Sequence, residues 1–144
     1  MLKASEQEGS VVYSFKGKWL EPITSGRVKV FFRKRVPLSR PRRVYLYVCA
    51  PTSAIVGWAE VVDLKRISST DALNMASDGA IDIHELKKYL ENTDSVGVIR
   101  IGFPNLFSSA ITAAEVCSIF NFHPPQNFFQ ISSDDASKLD ELRK

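Results

Sequence analysis

The chain has 144 residues, of which 44% are hydrophobic and 10% aromatic, so its length and composition predict one globular domain with a sizeable core. Its net charge of +3 conceals an asymmetry, because residues 1–66 carry thirteen lysines and arginines against five acids (+8), whereas the remainder carries six against eleven (−5). A basic half without a long apolar run or an amphipathic basic helix favours nucleic acid as the partner and argues against a membrane surface.

Short strands separated by turns account for most of the basic half. One or two helical turns over residues 17–25, ended by Gly26, interrupt the strands, and Pro37 and Pro41 bracket an exposed loop. Gly57 predicts a bulge in the last strand of this half. Apolar runs and β-branched residues predict strands over residues 11–15, 27–35, 44–50 and 54–64.

The acidic half adds helices and two more strands. Asp82, with Glu85 three residues later, predicts the start of a helix over 82–91, and Thr112 with Glu115 is a capping box that starts another. The other predicted elements are helices over 71–77 and 134–143 and strands over 96–103 and 128–131. Many short strands with few helices predict an α+β fold class, a small bent mixed β-barrel with short helices capping its ends.

The predicted domain covers residues 11–132. A polar stretch over residues 1–10, which lacks an apolar signal core, is expected to be a flexible lead. Residues 133–144 are expected to form a C-terminal helix or tail.

The strand predicted over residues 27–35 has two contrasting faces. The apolar face, which can be buried against a core, carries Val28, Val30 and Phe32. The opposite face presents four cations around one aromatic ring, namely Arg27, Lys29, Phe31, Arg33 and Arg35. Such a face suits a polyanion that carries flat rings. The alternative is a solvated outer strand whose charges keep its edge from pairing with a neighbour.

In order and spacing, these segments resemble the ASCH domain, a family of PUA-like β-barrels. The resemblance spans most of residues 11–131 and rests on the segments Ser14-Phe15-Lys16-Gly17-Lys18-Trp19, Ile23-Thr24-Ser25-Gly26, Phe31-Phe32-Arg33-Lys34-Arg35, Tyr47-Val48-Cys49-Ala50-Pro51, Ala54-Ile55-Val56-Gly57 and Pro124-Pro125-Gln126-Asn127-Phe128-Phe129. It implies a mixed-sheet barrel whose cleft accommodates RNA or a nucleoside. Some ASCH proteins are hydrolases of modified cytidine or RNA, and others act as binding modules in RNA metabolism or regulation.

The chain departs from the family at two positions of the strand that usually reads Gly-x-Lys-x-x-Glu-x-Arg. Gly26 and Arg33 fit, but Val28 stands at the lysine position and Phe31 at the glutamate position. Sliding the strand by one residue would let Lys29 serve as the lysine, yet a phenylalanine would still replace the glutamate. A mechanism that needs this carboxylate has lost it, whereas a phenyl ring is better at stacking a base. The departures therefore favour binding over catalysis.

We therefore predict a basic, aromatic-lined cleft that binds RNA, single-stranded nucleic acid or a nucleotide-like ligand. Arg33 is the first candidate, because it fits the family position and would make a bidentate contact with a phosphate or a base edge. Where the family lines its cleft, this chain has Lys16, Lys18 and Trp19. The full set of predicted contact residues is Lys16, Lys18, Trp19, Arg27, Lys29, Phe31, Arg33, Arg35, Arg40, Arg42 and Arg43.

Other interpretations stay open at this point. Trp19 and Phe31 could belong to a core instead of stacking a base. A metal-independent hydrolase of RNA or of a modified nucleoside would use Lys29 or Lys16 as proton carrier or nucleophile, with Glu60 or an acid of the helical half. A protein-interaction domain would use the acidic helical half.

We expect no metal and no cofactor. His84 and His123 lie far apart in the sequence without a ligand spacing such as HExxH, and there is no glycine-rich phosphate loop. Cys49 and Cys117 stand in apolar settings, which indicates the buried thiols of a cytoplasmic protein.

Overall fold

The computed structural model describes residues 9–124 and 127–142, so parts of the predicted lead, of the last family segment and of the chain end lie outside it. Its strands are β1 (Ser10–Phe15), β2 (Val30–Arg33), β3 (Arg43–Val48), β4 (Ala54–Ser68), β5 (Ser95–Ile101), β6 (Asn105–Thr112) and β7 (Phe128–Ile131). Its helices are α1 (Leu20–Thr24), α2 (Ser69–Leu73), α3 (Ile83–Tyr89), α4 (Ala113–Cys117) and α5 (Ser133–Leu142), with 3-10 turns at Gly17–Trp19 and Ser77–Gly79. The predicted α+β class is confirmed.

One mixed sheet curves around an apolar interior in the order β2-β5-β4-β3-β1-β7, and β6 pairs with β4. β1 runs parallel to β3, whereas every other pair is antiparallel. The path ends at β2 and at β7, and β7 pairs with β1 only over Ser10–Tyr13, so in the described part of the chain the barrel is open between β2 and the edge formed by β7 and the end of β1. Two side chains bridge that opening, since Arg33 Nη2 donates to the Ser14 carbonyl at 2.9 Å and the Tyr13 hydroxyl donates to the Arg35 carbonyl at 3.0 Å.

Helices cover the sheet on two sides, and the buried apolar side chains form three clusters. The interior cluster gathers side chains from β1 to β5. A second lies beneath α4 and α5, and a third lies between β2, β5 and the pair α2 and α3. Because one face of β2 meets the interior and the other meets α3, all of Val30, Phe31 and Phe32 are buried.

Local sequence signals explain where several helices begin and end. The Asp82 side chain accepts from the backbone N–H groups of His84 and Glu85, and the predicted capping box at Thr112 is present. Gly26, with φ +80°, follows α1 in the left-handed region that ends a helix. These predictions are confirmed. None of the described helices is long and apolar enough to cross a membrane.

Strand β6 is not predicted by the sequence. Most of its side chains are exposed, so no alternation of buried and exposed residues marks it. It forms because it pairs with β4, where the register slips beside Gly57. A Cβ at Gly57 would stand 2.4 Å from the Asn105 carbonyl oxygen, so glycine is needed for this approach. The predicted irregularity at Gly57 is thus confirmed, and its reason is the neighbouring strand.

Helix α5 is fixed to β3 by a group of polar contacts around Asp140. Its carboxylate accepts from Arg43 Nη1 at 3.0 Å and from the Tyr45 hydroxyl at 2.9 Å. The Arg43 guanidinium in turn lies 3.6 Å from the centroid of the Trp58 ring, within the range of a cation–π interaction. The part of the predicted helix or tail that the structure describes is therefore a packed helix.

The burial of Tyr45 leads us to expect that the protein loses stability in alkaline solution. Burial, followed by the hydrogen bond to Asp140, raises the pKa of Tyr45 from 10.0 to about 12. Folding thus favours the protonated phenol. The contribution of Tyr45 to the free energy of unfolding is therefore complete below pH 10 and is lost as the pH rises towards 12. We expect this group to lower the free energy of unfolding by up to about 1.4 kcal/mol per pH unit in that interval.

Urea unfolding at a series of alkaline pH values measures this effect, with Tyr45→Phe as the comparison. The other buried tyrosines are unchanged in the variant, so the difference between the two slopes belongs to Tyr45. Identical slopes in the two proteins would contradict the prediction.

Candidate functional site

An aromatic pocket of about 310 Å³ opens between β1 and β2, on the side where the barrel is not closed by hydrogen bonds. Its walls come from the end of β1, the first 3-10 turn, β2 and the inner side of α3. The residues that line it are Ser14, Phe15, Lys16, Trp19, Val28, Phe31, Phe32, Arg33, Gly79, Ile81, Glu85, Leu86 and Tyr89. The pocket is thus mainly apolar and aromatic, with few charged groups.

Arg33 provides a partly buried positive charge in the aromatic pocket. Its guanidinium donates to the carbonyls of Phe32 and Ser14, each at 2.9 Å, which uses two of its five N–H groups. No carboxylate of the described residues forms an ion pair with it. Burial lowers the pKa of Arg33, yet an arginine stays charged in proteins. Arg33 therefore keeps donors and a positive charge available for a ligand.

Three aromatic rings surround the Arg33 guanidinium. Its central carbon lies 4.9 Å from the ring centroid of Phe15, 5.1 Å from that of Phe31 and 5.4 Å from that of Tyr13. The Phe31 ring itself packs edge-on against Tyr13 and Phe15, with centroids 5.2 and 5.1 Å away. These contacts hold the guanidinium in place by cation–π attraction, which is strongest where water is excluded.

An ion pair borders the mouth of the pocket. Lys18 Nζ lies 2.5 Å from Glu85 and 5.5 Å from the centroid of the Trp19 ring, and so links the first 3-10 turn to α3. Lys16 is exposed on the rim. Glu85 and Tyr89 are not among the predicted contact residues. Their spacing of four residues on α3, which places both on one face, is the signal that could have found them.

The structure changes the interpretation of the two faces of β2. Phe31 and Arg33 share a face as predicted, but that face points into the barrel, and Phe31 is 5% exposed. The alternative of a solvated outer strand therefore does not fit these two residues, since the other strands curve around them. Val28 lies in the interior cluster with Phe31 and not with Val30 and Phe32, because β2 begins only at Val30.

The two departures from the family pattern lie inside the aromatic pocket. Val28 and Phe31 both line it, whereas Lys29 is exposed and does not. The direct alignment, with valine for lysine and phenylalanine for glutamate, therefore fits the geometry, and the alignment slid by one residue does not.

The remaining predicted residues of the strand lie outside the pocket. Arg27 is exposed and pairs with Glu21. Arg35 is exposed and borders a second concavity. Glu60, a candidate acid for catalysis, is exposed and lies opposite Arg43 across the β3–β4 pair.

The structure does not bring the proline-bracketed loop to the pocket. Arg40 Nη1 donates to the backbone carbonyls of Val61 and Val62 on β4. Arg42 is exposed, and Arg43 is held by α5 through Asp140. The single cleft predicted from strand and loop thus separates into two regions, of which only the strand side borders the pocket.

The two cysteines differ in burial. Cys49 is partly buried, but Cys117 is exposed at the end of the short helix α4, so the prediction of a buried thiol is wrong there. No group of three or more His, Cys, Asp or Glu side chains within residues 9–124 and 127–142 is placed to hold a metal ion.

Comparison with known proteins finds similarity in structure. No protein-family model and no curated protein matches the chain. The ASCH protein from Zymomonas mobilis has a TM-score of 0.88 and 20% sequence identity, and the match covers 96% of this chain and 97% of that chain. The N-terminal domain of Staphylothermus marinus McrB has a TM-score of 0.61 and 10% identity, over 92% of this chain and 93% of that chain.

A third similar structure is human THYN1 in complex with DNA that contains 5-methylcytosine, with a TM-score of 0.56, 9% identity and coverage of 93% and 96%. The TM-scores establish similarity of fold, and at identities of 9–20% the conclusion is limited to the fold. The chain therefore has the fold of the Zymomonas mobilis ASCH protein, as the order of its segments implied.

Proposed function

We propose that the protein binds RNA or single-stranded nucleic acid and holds one unstacked base in the aromatic pocket. The observation that carries this proposal is the Arg33 guanidinium, which lies among aromatic rings and forms no ion pair with a carboxylate of the described residues. A base offers a flat face to aromatic side chains and acceptor atoms to an arginine at its edge. Single-stranded RNA is recognised in this way, because its bases can leave the stack.

The fold and the charge distribution support nucleic acid as the ligand class. The structure of human THYN1, which is similar in fold, is that of a complex with DNA that contains 5-methylcytosine. In this chain the cations concentrate in residues 1–66, which supply β1, β2 and most of the pocket. An ASCH fold with a basic side therefore fits a polyanion that presents bases.

The pocket favours binding over hydrolysis. Val28 and Phe31 replace the acid–base pair of the family pattern, and Lys29 and Glu60 lie outside the pocket. Lys16 stays as the candidate proton carrier or nucleophile at the rim. RNA or acylated cytidine that is converted in metal-free buffer, with conversion abolished by Lys16→Ala, would favour the hydrolase instead.

Tryptophan fluorescence tests whether a base enters the pocket. The chain has two tryptophans, and Trp58→Phe leaves Trp19, which lines the pocket, as the single emitter. The ligand is a short single-stranded RNA that contains one purine. We expect this strand to change Trp19 emission, and we expect a smaller change from the same strand with an abasic site in place of the purine. Stacking on an aromatic side chain contributes about 1–3 kcal/mol per base, so Trp19→Ala should weaken binding by a factor of about 5 to 150.

Fluorescence anisotropy of a labelled strand provides the independent measure of binding. Unchanged Trp19 emission at saturation would place the base elsewhere and contradict the proposal. Failure to bind any nucleic acid at low salt would favour the protein-interaction domain.

A further inference from the structure

A second concavity, which we call the basic groove, lies beside the aromatic pocket. It measures about 680 Å³ and is lined by Lys34, Arg35, Val36, Arg66, Asn127 and Phe128. Three of these six side chains are cationic and none is acidic. The groove therefore has the charge of an anion-binding surface.

The cations of the basic groove have no acidic partner in the part of the chain that the structure describes. Lys34, Arg35 and Arg66 are exposed, and none of them forms an ion pair with another described residue. By contrast, Arg27 pairs with Glu21, and Lys65, the neighbour of Arg66, lies 3.9 Å from Asp63. The groove thus gathers positive charges that no acidic side chain of residues 9–124 and 127–142 neutralises through an ion pair.

Backbone contacts fix the shape of the groove. Arg66 Nη2 donates to the Lys34 carbonyl at 2.9 Å, which ties β4 to the end of β2. The Arg35 carbonyl accepts from the Tyr13 hydroxyl at 3.0 Å. Because these contacts use the main chain of Lys34 and Arg35, a ligand can meet the exposed side chains of both residues without breaking them.

Tyr89 stands between the groove and the aromatic pocket. It lines the pocket, while its hydroxyl accepts from the Lys34 backbone N–H at 3.1 Å and its ring lies 4.8 Å from Lys34 Nζ. Arg33 in the pocket and Lys34 in the groove are consecutive residues. A ligand can therefore occupy both concavities across this one tyrosine.

We propose that the basic groove binds the phosphodiester backbone that flanks the base held in the pocket, so that the ligand is a strand of several nucleotides and not a free nucleoside. This inference rests on the proposed function. Each phosphate that meets a lysine or arginine releases counterions, which makes affinity depend on salt. A nucleoside has no phosphate and leaves the groove empty.

The double variant Lys34→Ala/Arg35→Ala tests the groove, because it removes two cations and keeps the backbone contacts. Lys87→Ala/Lys88→Ala is the matched control, since it removes two exposed cations of α3 that line neither concavity. The ligands are a single-stranded RNA of eight nucleotides, the same strand with one abasic site, and the free nucleoside. Affinity is measured over a series of salt concentrations.

For the groove variant we expect the slope of log affinity against log salt to become shallower by about 1.4, or about 0.7 for each of two phosphates. The loss of affinity for the RNA should therefore grow by a factor of about 25 for each tenfold decrease in salt concentration, because fewer counterions are released. Nucleoside binding should be unchanged, and the control should keep the wild-type slope.

Equal salt slopes in the groove variant and the wild type, or an equal loss of affinity in the control variant, would contradict the proposed role of the basic groove. Neither result would contradict base binding in the aromatic pocket, which Trp19 emission measures separately. A strand whose base does not alter Trp19 emission, but whose salt slope still depends on Lys34 and Arg35, would overturn the pocket and support the groove.

Discussion

Arg33→Ala is expected to weaken binding of single-stranded RNA by about a hundredfold. The ligand would lose charge-assisted hydrogen bonds, which contribute about 1.5–3 kcal/mol each, and the pocket would lose its positive charge. Because three rings and two carbonyls already hold the guanidinium, little conformational freedom is lost when a ligand binds.

The same substitution should lower the free energy of unfolding by about 1–3 kcal/mol. Arg33 joins the open side of the barrel through Ser14, and each such bond contributes about 0.5–1.5 kcal/mol, to which the cation–π contacts add. The desolvation of a buried charge opposes this. We expect the lost contacts to outweigh the relief of desolvation, since the guanidinium borders a pocket that is open to water and is only partly desolvated.

Arg33→Lys separates charge from geometry. Lysine keeps the charge but cannot donate to both carbonyls and to a planar acceptor at once. Anisotropy titration and urea unfolding of both variants should show affinity lost in each and stability partly recovered in the lysine variant. A folded Arg33→Ala protein with wild-type affinity would remove Arg33 from the interface.

Asp140→Ala is expected to lower the free energy of unfolding by about 2 kcal/mol, and the melting temperature by about 5–10 °C. Tyr45 is completely buried, so its hydroxyl would lose its acceptor without gaining water. The ion pair with Arg43 contributes less, because the Arg43 and Asp140 side chains are 24% and 39% exposed. Arg43 also keeps its contact with Trp58.

Thermal unfolding of two comparison variants tests this explanation. Asp134→Ala removes a carboxylate from the first turn of the same helix, where the helix dipole makes it worth about 0.3–1 kcal/mol. Tyr45→Phe removes the donor, so Asp140→Ala should have a smaller effect in that background. Equal losses from Asp134→Ala and Asp140→Ala, or full additivity with Tyr45→Phe, would contradict the role assigned to Asp140.

Local hydrogen bonding makes much of this fold readable from the sequence. Asp82 and Thr112 start helices because their side chains accept from backbone N–H groups two or three residues away, and Gly26 ends one because it adopts a positive φ. The strands with strong apolar runs are also predicted from local sequence, because β-branched and apolar residues cluster in them. Their order was enough to indicate the ASCH fold.

The site required information that no local pattern contains. A period of two placed Phe31 and Arg33 on one face of β2, but which face points inward depends on the strands that curve around it. Likewise Glu85 and Tyr89 reach the pocket only because α3 packs over β2, and the loop arginines face β4 and α5 instead.

The amino-acid order therefore predicted most of the elements and the fold, since these follow from residue type and spacing along the chain, and it made Arg33 the first candidate for the site. Tertiary packing decided that Arg33 is enclosed by aromatic rings, that the pocket opens between β1 and β2, and that the basic groove lies beside it. The physical reason is that burial and pairing are set by residues far apart in the chain, which only the folded sheet brings together.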